Sequence, residues 1–392
     1  MFLLLSSLAS SARWAVLMAG SNEWYNYRHQ ADIATIYDLL LNRSFQADHI
    51  ITLSYNDIPT DSLNPYRNTL FHNLDHHNMY HGASHIDYSA AKVTSQTFYD
   101  VLTGNKTAGK VLESKSEDDV FIYYDNHGSD GILGVPNGIT DYISFQKLQE
   151  CINTMHKKGM YKRLLFMVEA CESGNLPKFI TAPNAVVITA AKYSESSMGS
   201  IWDPDVDSYL TNEFTYAAIE LINTSDLKIS EFYDKLVKNT PSSTPQIGGG
   251  GYEALKDTYI SAWFGEYKNE PKNSILKPRP KIHEKVSQRE VLRHILRKRG
   301  DVHSLKKLHE LDANRARVEK KLNDIAYILN IDDLKTVEEP SNENWQCFFK
   351  ALEAFIQKNG NFHQDDMGLT RKLLNMCAVR SEEEVIKAVR VI

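Results

Sequence analysis

Hydrophobic positions fall into two kinds of pattern along this chain. In the first two thirds, short, largely apolar runs recur at 14–19, 49–53, 120–124, 164–168 and 185–191, unbroken at 14–19, 120–124 and 164–168. Each is too short for a helix and too continuous for a strand with one wet face, which predicts strands buried on both faces of a mostly parallel sheet. Between them, 28–41 carries Ala31, Ala34, Ile36, Leu39 and Leu40 along much of one helical face, and 92–102 and 144–157 also predict helices. Strands alternating with helices in this way predict an α/β fold. The Asn-, Asp- and His-rich stretch 56–89 and the Ser-, Pro- and Gly-rich stretch 242–251 predict loops, and 258–264 predicts a last strand.

From 286 onward the pattern changes. Val291, Leu292, Ile295 and Leu296 recur at helical spacing, followed by Leu305, Leu308 and Leu311, by Leu322, Ile325, Ile328 and Leu329, and by Phe348, Phe349, Leu352, Phe355 and Ile356. The segment 266–281 separates the two regimes with three prolines and no apolar period, which predicts a linker. The chain therefore divides into an α/β unit at 13–265, a linker region at 266–300 and an all-helical unit at 301–392. Residues 1–12 form a short apolar run ending in small residues, expected to be a secretory signal cleaved between Ala9 and Ala12 despite its missing basic start. A strand-extending N-terminus is the alternative.

Composition changes this picture little. With 392 residues, a formal charge of −6 and 42% hydrophobic residues, the chain has room for two ordinary domains, no basic excess that points to nucleic acid, and no later run resembling a membrane span. Acceptor sequences for N-glycosylation at Asn42, Asn105 and Asn223 fit a secretory route. Cys151 lies in an amphipathic helical pattern and is expected in the core. Cys347 and Cys377 form either one disulfide between helices or two buried thiols.

The chemistry gathers where two of the apolar runs stop. One ends at Asp125-Asn126-His127-Gly128 and the other at Glu169-Ala170-Cys171-Glu172-Ser173-Gly174. If these runs are neighbouring parallel strands, His127 and Cys171 leave the same edge of the sheet, where open α/β folds place their ligands. An imidazole beside a thiol promotes the nucleophilic thiolate and later protonates the leaving amine. Gly128, lacking a Cβ, lets its N–H join that of Cys171 as an oxyanion donor. A structural thiol and a structural histidine are the plainer alternative. The strand ends at 19, 124, 169 and 191 converge on a pocket expected from Arg28, His29, Glu169, Ser197 and Asn212. Its mixed donors and acceptors suit a side-chain amide. His72, His76, His77, His81 and His85 raise a metal site, but no Cys accompanies them and a solvated loop is the better reading; no metal and no cofactor are expected.

His127-Gly128 with the block Glu169 to Gly174 resembles the legumain family of asparaginyl endopeptidases. Ala19-Gly20-Ser21-Asn22, then Tyr25-Asn26-Tyr27-Arg28-His29-Gln30-Ala31-Asp32, Gly131-Ile132-Leu133 and Glu195-Ser196-Ser197 extend the likeness over nearly the whole chain. The resemblance implies a caspase-like sheet flanked by helices, thiol endopeptidase activity after Asn, and synthesis as a zymogen whose C-terminal helical pro-domain covers the cleft. It places Asn26 with the catalytic histidine, and Arg28 and His29 in the primary specificity pocket. Asn212 and Asn126 stand where relatives commonly carry Asp; the first puts the strictness of the Asn preference in doubt, and the second leaves peptide ligation undecided.

A latch is expected from the basic segment 289–299 paired with Glu169 and Glu172: Arg-paired carboxylates have depressed pKa values, so acid would loosen the contact. An ordinary solvated helix face is the alternative. Self-processing is expected at Asn269, Asn273 or Asp301. Expected partners are protein or peptide substrates, the chain's own pro-domain and cystatin-like inhibitors, in a lysosome-like compartment, a vacuole or outside the cell. A lipid-anchor transamidase, a peptide ligase and a non-catalytic binding protein are the competing readings.

Overall fold

The computed structural model describes residues 11–139, 141–266, 286, 288–300 and 302–392. The expected signal over 1–10 and the expected processing residues Asn269, Asn273 and Asp301 lie outside them.

Six strands form the central sheet: β1 (Arg13–Ala19), β2 (Ile50–Ser54), β3 (Asp119–Asp125), β4 (Arg163–Glu169), β5 (Ala185–Thr189) and β6 (Gln246–Gly248), in the spatial order β6-β5-β4-β3-β1-β2. All neighbours are parallel except the β5–β6 edge pair, which is antiparallel. The apolar runs are continuous because successive side chains enter different cores. Val16, Met18, Ile122, Tyr124, Phe166 and Val168 face one way, packing with helices α2 (Ser95–Thr103) and α3 (Phe145–Lys157). Ala15, Leu17, Phe121, Tyr123, Leu165 and Met167 face the other, against α1 (Tyr27–Asn42), α4 (Glu213–Thr224) and α5 (Ile229–Asn239).

Two expected elements differ. The stretch 258–264 is not a strand; it holds an isolated bridge at Tyr259 and a short helix, Ser261–Phe264. Its apolar residues Ile260, Trp263 and Phe264 recur three and four apart, so one helical turn buries all three where a strand would split them between faces. The loop expected at 242–251 contains β6. A hairpin of Gly199–Asp203 and Ser208–Asn212 also went unforeseen.

The C-terminal region is helical throughout its regular structure: α6 (Gln288–Arg299), α7 (Val302–Ile328), α8 (Asn342–Asn359), α9 (Arg371–Val379) and α10 (Glu382–Val391). Leu322, Ile325, Phe348, Leu352, Leu373 and Val385 build a separate core that also takes in Ile132 of the sheet unit. Cys347 and Cys377 are joined, with Cα atoms 5.8 Å apart, tying α8 to α9. Among the described residues no helix is long and apolar enough to cross a membrane.

Candidate active site

The register of β3 and β4 sets the site. Asp125 pairs with Glu169, and each chain runs two residues further before presenting its reactive side chain, His127 from one and Cys171 from the other. The Asn126 N–H donates to the Glu169 carbonyl at 3.1 Å, carrying the pairing past the strand ends. At Gly128 a Cβ would sit 2.7 Å from the Cys171 carbonyl oxygen and 3.0 Å from the Ala170 Cβ. Glycine alone allows the two segments to lie this close. Cys171 Sγ lies 3.8 Å from Ser197 Oγ and is partly open to solvent.

Asn26, at the end of the turn before α1, fixes the histidine. Its Oδ1 lies 2.8 Å from His127 Nε2, while its Nδ2 donates to the Asn22 carbonyl at 2.8 Å and to Gln364 Oε1 at 3.3 Å. With the amide nitrogen committed to acceptors, Oδ1 must accept. Nε2 therefore carries the proton, and Nδ1 is the basic nitrogen of the ring.

Behind them lies a buried charged network. Arg28 Nε donates to Asn212 Oδ1 at 2.8 Å, and Asn212 Nδ2 donates to Asp32 at 2.9 Å and to Asp125 at 3.1 Å. Burial lowers the Arg28 pKa, opposed by Asp125, Cys171, Glu169 and Asp32. Burial lifts the Glu169 carboxyl to about 8, against the Ser197 hydroxyl and with a further push from Asp32. Burial, then Asp32 and Glu169, raise Asp125 well above the usual carboxylate range. His29 accepts or donates at Ser21 Oγ, 2.7 Å from its Nδ1, and stands edge-on to the His127 ring with centroids 5.2 Å apart. Burial, then Arg28 and His127, hold its pKa well below that of free histidine.

All eight side-chain positions expected from sequence thus converge: Asn26, Arg28, His29, His127, Glu169, Cys171, Ser197 and Asn212. Sequence reasoning gave no role to Ser21, Asp32 or Asp125, although Ser21 and Asp32 sit inside quoted motif blocks. The five loop histidines do not converge on one point, although the rings of His81 and His85 stand edge-on with centroids 5.7 Å apart. His72 meets Asp32 and Thr211, His81 meets Asp38, and His85 meets Tyr37. His76 pairs with Asp203, near Asp205.

The C-terminal region lies over this edge, but not by the expected contacts. Within 289–299, Arg289 pairs with Asp312, Asp365 and Asp366, Arg293 with Glu290, and Lys298 with Asp207. These cations are taken up by nearer acids, so the expected ion pairs from this segment to Glu169 and Glu172 are corrected. Glu172 pairs instead with Arg371 of α9 at 2.9 Å, and Arg371 Nε also donates to Asp130 at 2.6 Å. The carboxyl at Asp130 is not depressed: burial, then Glu172, raises it to about 7 despite Arg371. Gln364 reaches deepest, its Nε2 donating to the carbonyls of Gly20 at 2.8 Å and Val135 at 2.6 Å while its Oε1 meets Asn26. Nothing in the local sequence marks Gln364, since its partners lie hundreds of residues away.

Residues 13–291 match the model of the peptidase C13 family. The chain is 32% identical to the vacuolar-processing enzyme beta-isozyme of Arabidopsis thaliana, across 93% of this chain and 82% of that protein. It is 29% identical to the hemoglobinase of Schistosoma mansoni, across 95% and 89%. Among solved structures, caspase-1 from Spodoptera frugiperda is similar with a TM-score of 0.36 and 12% identity, across 66% of this chain and 92% of that one. With a family match spanning most of its length and relatives aligned nearly end to end, this chain belongs to the peptidase C13 family.

Proposed function

We propose that this thiol peptidase cleaves after Asn, and after Asp once acid protonates that side chain, with residues 301–392 holding it latent. The observation that carries the reading is the paired register that sends His127 and Cys171 from matched strand ends to one edge. Cys171 Sγ attacks the scissile carbonyl carbon as His127 Nδ1 takes the thiol proton. The N–H groups of Gly128 and Cys171 face the oxyanion. His127 then gives the proton to the departing amine, leaving a thioester on Cys171, and takes a proton from the water that hydrolyses it. Arg28 donates to the carbonyl oxygen of the P1 carboxamide, and Glu169, with Ser197, accepts from its nitrogen. His29 and Asn212 hold Arg28 and the strand ends in place.

Latency rests on Gln364 sharing Asn26 with His127 and on Arg371 bridging Asp130 and Glu172, the residue after the nucleophile. Cleavage at Asn269, Asn273 or Asp301 would free the cleft. Residues 1–12 act as a secretory signal, the exposed Asn42, Asn105 and Asn223 as glycan acceptors, and an acidic vacuole, lysosome-like compartment or extracellular space as the destination. Cystatin-like inhibitors would compete with substrate for the opened cleft. The test is turnover of an Asn peptide after acid treatment by the parent and by Cys171→Ala, with intact mass followed alongside. The parent should lose its C-terminal fragment and turn over substrate, and the variant should do neither; equal turnover by both would remove the mechanism.

A further inference from the structure

The turn that carries Asn26 into the cleft holds a backbone conformation that one of its own residues resists. Glu23, between β1 and α1, has φ 72° and ψ 150°, a region that is essentially glycine's. A glutamate stays there only when its surroundings over-determine it. A half-turn of the peptide joining Asn22 to Glu23 would carry this φ into the ordinary negative range, so the strain acts on that one planar unit. Its two polar groups point opposite ways, and each has a partner. The Asn22 carbonyl accepts from Asn26 Nδ2 at 2.8 Å, and the Glu23 N–H donates to Asp57 Oδ2 at 2.6 Å.

Asp57 follows the end of β2, the strand beside β1, and its other oxygen, Oδ1, accepts from Gln30 Nε2 of α1 at 2.6 Å. The carboxylate thus spans the turn and the helix that flank Asn26. On the far side Asn22 is pinned to Asn137: its Oδ1 accepts the Asn137 N–H at 2.8 Å, and its Nδ2 donates to the Asn137 carbonyl at 3.2 Å. With both flanks held, turning the peptide over would set the Asn22 carbonyl against the Asp57 carboxylate and take its acceptor from Asn26. The Asn26 amide could then rotate and offer Nδ2 to His127, a partner that suits the wrong tautomer of the ring. While the tail is in place, Gln364 Oε1 also meets Asn26 Nδ2, at 3.3 Å. Once the tail leaves, the Asn22 carbonyl alone remains of these two acceptors, and the orientation of its peptide decides how Asn26 faces His127.

We propose that Asp57 is a positioning residue for the peptidase reaction: by gripping the Glu23 N–H it keeps the Asn22 carbonyl on Asn26, and through Asn26 it fixes the tautomer of His127. It touches neither substrate nor reacting atoms. The inference rests on the peptidase reading for its effect on turnover, and on the geometry alone for its effect on the ring.

The test reads the ring directly. Nitrogen-15 histidine NMR is recorded at pH 7.5 on the full chain carrying Cys171→Ala, which cannot cleave itself, and Gln364→Ala, which removes the tail's share in Asn26; His127 is assigned by the signals lost in His127→Gln. The Nε2–H tautomer should dominate, its fraction should fall at least by half in Asp57→Ala, and Asp57→Ala with Glu23→Gly should restore it, because glycine removes the strain that drives the peptide over. In the acid-treated chain without the two background changes, Asp57→Ala should lower kcat at least tenfold with KM held within twofold, and the added Glu23→Gly should recover most of that loss. An unchanged tautomer in Asp57→Ala overturns the proposal. So does a change that Glu23→Gly fails to reverse, since a general loss of packing is indifferent to residue 23. Thermal midpoints check folding. If Asp57→Ala does not fold, Glu23→Val against Glu23→Gly decides: both lose the carboxylate, only valine resists the positive φ, and equal Nε2–H fractions in the two overturn the proposal. A ring that responds as expected in a chain that turns over no Asn peptide would sink the peptidase reading and leave the positioning standing.

Discussion

Asn212 is the residue at which the buried charges of the cleft meet, and its amide cannot be replaced by a carboxylate without cost. The nitrogen donates to two acids, Asp32 and Asp125, while the oxygen accepts from Arg28. Arg28 lies among Asp125, Glu169 and Asp32, but burial and mutual repulsion lift Glu169 to about 8 and Asp125 well above the carboxylate range, so the neutral amide at 212 spares the cluster a further raised carboxyl. In Asn212→Asp two donors vanish and a further carboxyl faces two others. A deficit of about 1–3 kcal/mol is expected at pH 7.5. The new group's pKa would be raised by burial and by its neighbours, so its contribution favours the folded state at low pH and is lost as pH rises through that value. The thermal midpoint of the variant should trail the parent more at pH 7.5 than at pH 5; an equal or larger gap at pH 5 would refute the account. The motif residues Arg28, His29, Glu169 and Cys171 were legible in the sequence because each ends an apolar run or opens a helix. Asp125 was passed over because its partner Asn212 lies far along the chain, and no local period encodes that contact.

Among elements, the parallel strands were the most legible, since burial on both faces leaves an unbroken apolar signature at β1, β3 and β4. The edge strand β6 was not, because Gln246, Ile247 and Gly248 are all only partly buried and sit among glycines. The segment Gln364–Thr370 had no signature at all, yet it enters the cleft, and the residue before it is its pH-sensitive point. His363 Nδ1 accepts the Asp365 N–H at 3.2 Å, so a second ring proton would remove that contact. Burial lowers the His363 pKa, Asp365, Asp366 and Glu23 push the other way, and Lys307 adds to the lowering; Arg289 and Arg315 in turn pair with Asp366. A depressed pKa in the covered state stabilises that state above the free-histidine value, and the contribution is lost as pH falls through the depressed one. Acid therefore favours uncovering at this residue. His363→Gln keeps an acceptor and cannot titrate. The pH at which a thiol-reactive Asn peptide labels half of Cys171 should move downward in the variant, and an unmoved midpoint would assign the response elsewhere.

At the scale of the whole molecule, the sheet unit and the helical tail each own a core, and apolar as well as polar contacts join them: Ile132, Tyr142 and Phe179 pack on the tail's core, Phe179 against Trp345 and Phe349, and Val291 and Ile295 of α6 share a cluster with Trp24, Tyr25 and Ile201. Two units that each keep a core can separate without either unfolding, at the cost of exposing the apolar surface they share. Arg371 makes well-buried ion pairs across the junction, 17% exposed against a fully buried Asp130 and a Glu172 at 13%. In Arg371→Ala the two carboxylates face each other without a cation, a penalty confined to the covered state. Discounted for partial exposure, it is ~2 kcal/mol, or roughly thirtyfold in the covering equilibrium. Labelling of Cys171 at pH 7.5, without acid treatment, should rise by about that factor while far-UV dichroism stays unchanged. The pH dependence separates this contact from His363. With its carboxyl at about 7 in the covered chain, Asp130 favours covering as it takes up a proton, and that contribution fades as pH rises through 7, so it opposes acid release. Once Asp130 is neutral, the missing guanidinium matters less, and the gap between Arg371→Ala and parent should narrow at pH 5. A gap that stays constant from pH 7.5 to 5 would mean that Asp130 is not the partner through which Arg371 holds the tail down.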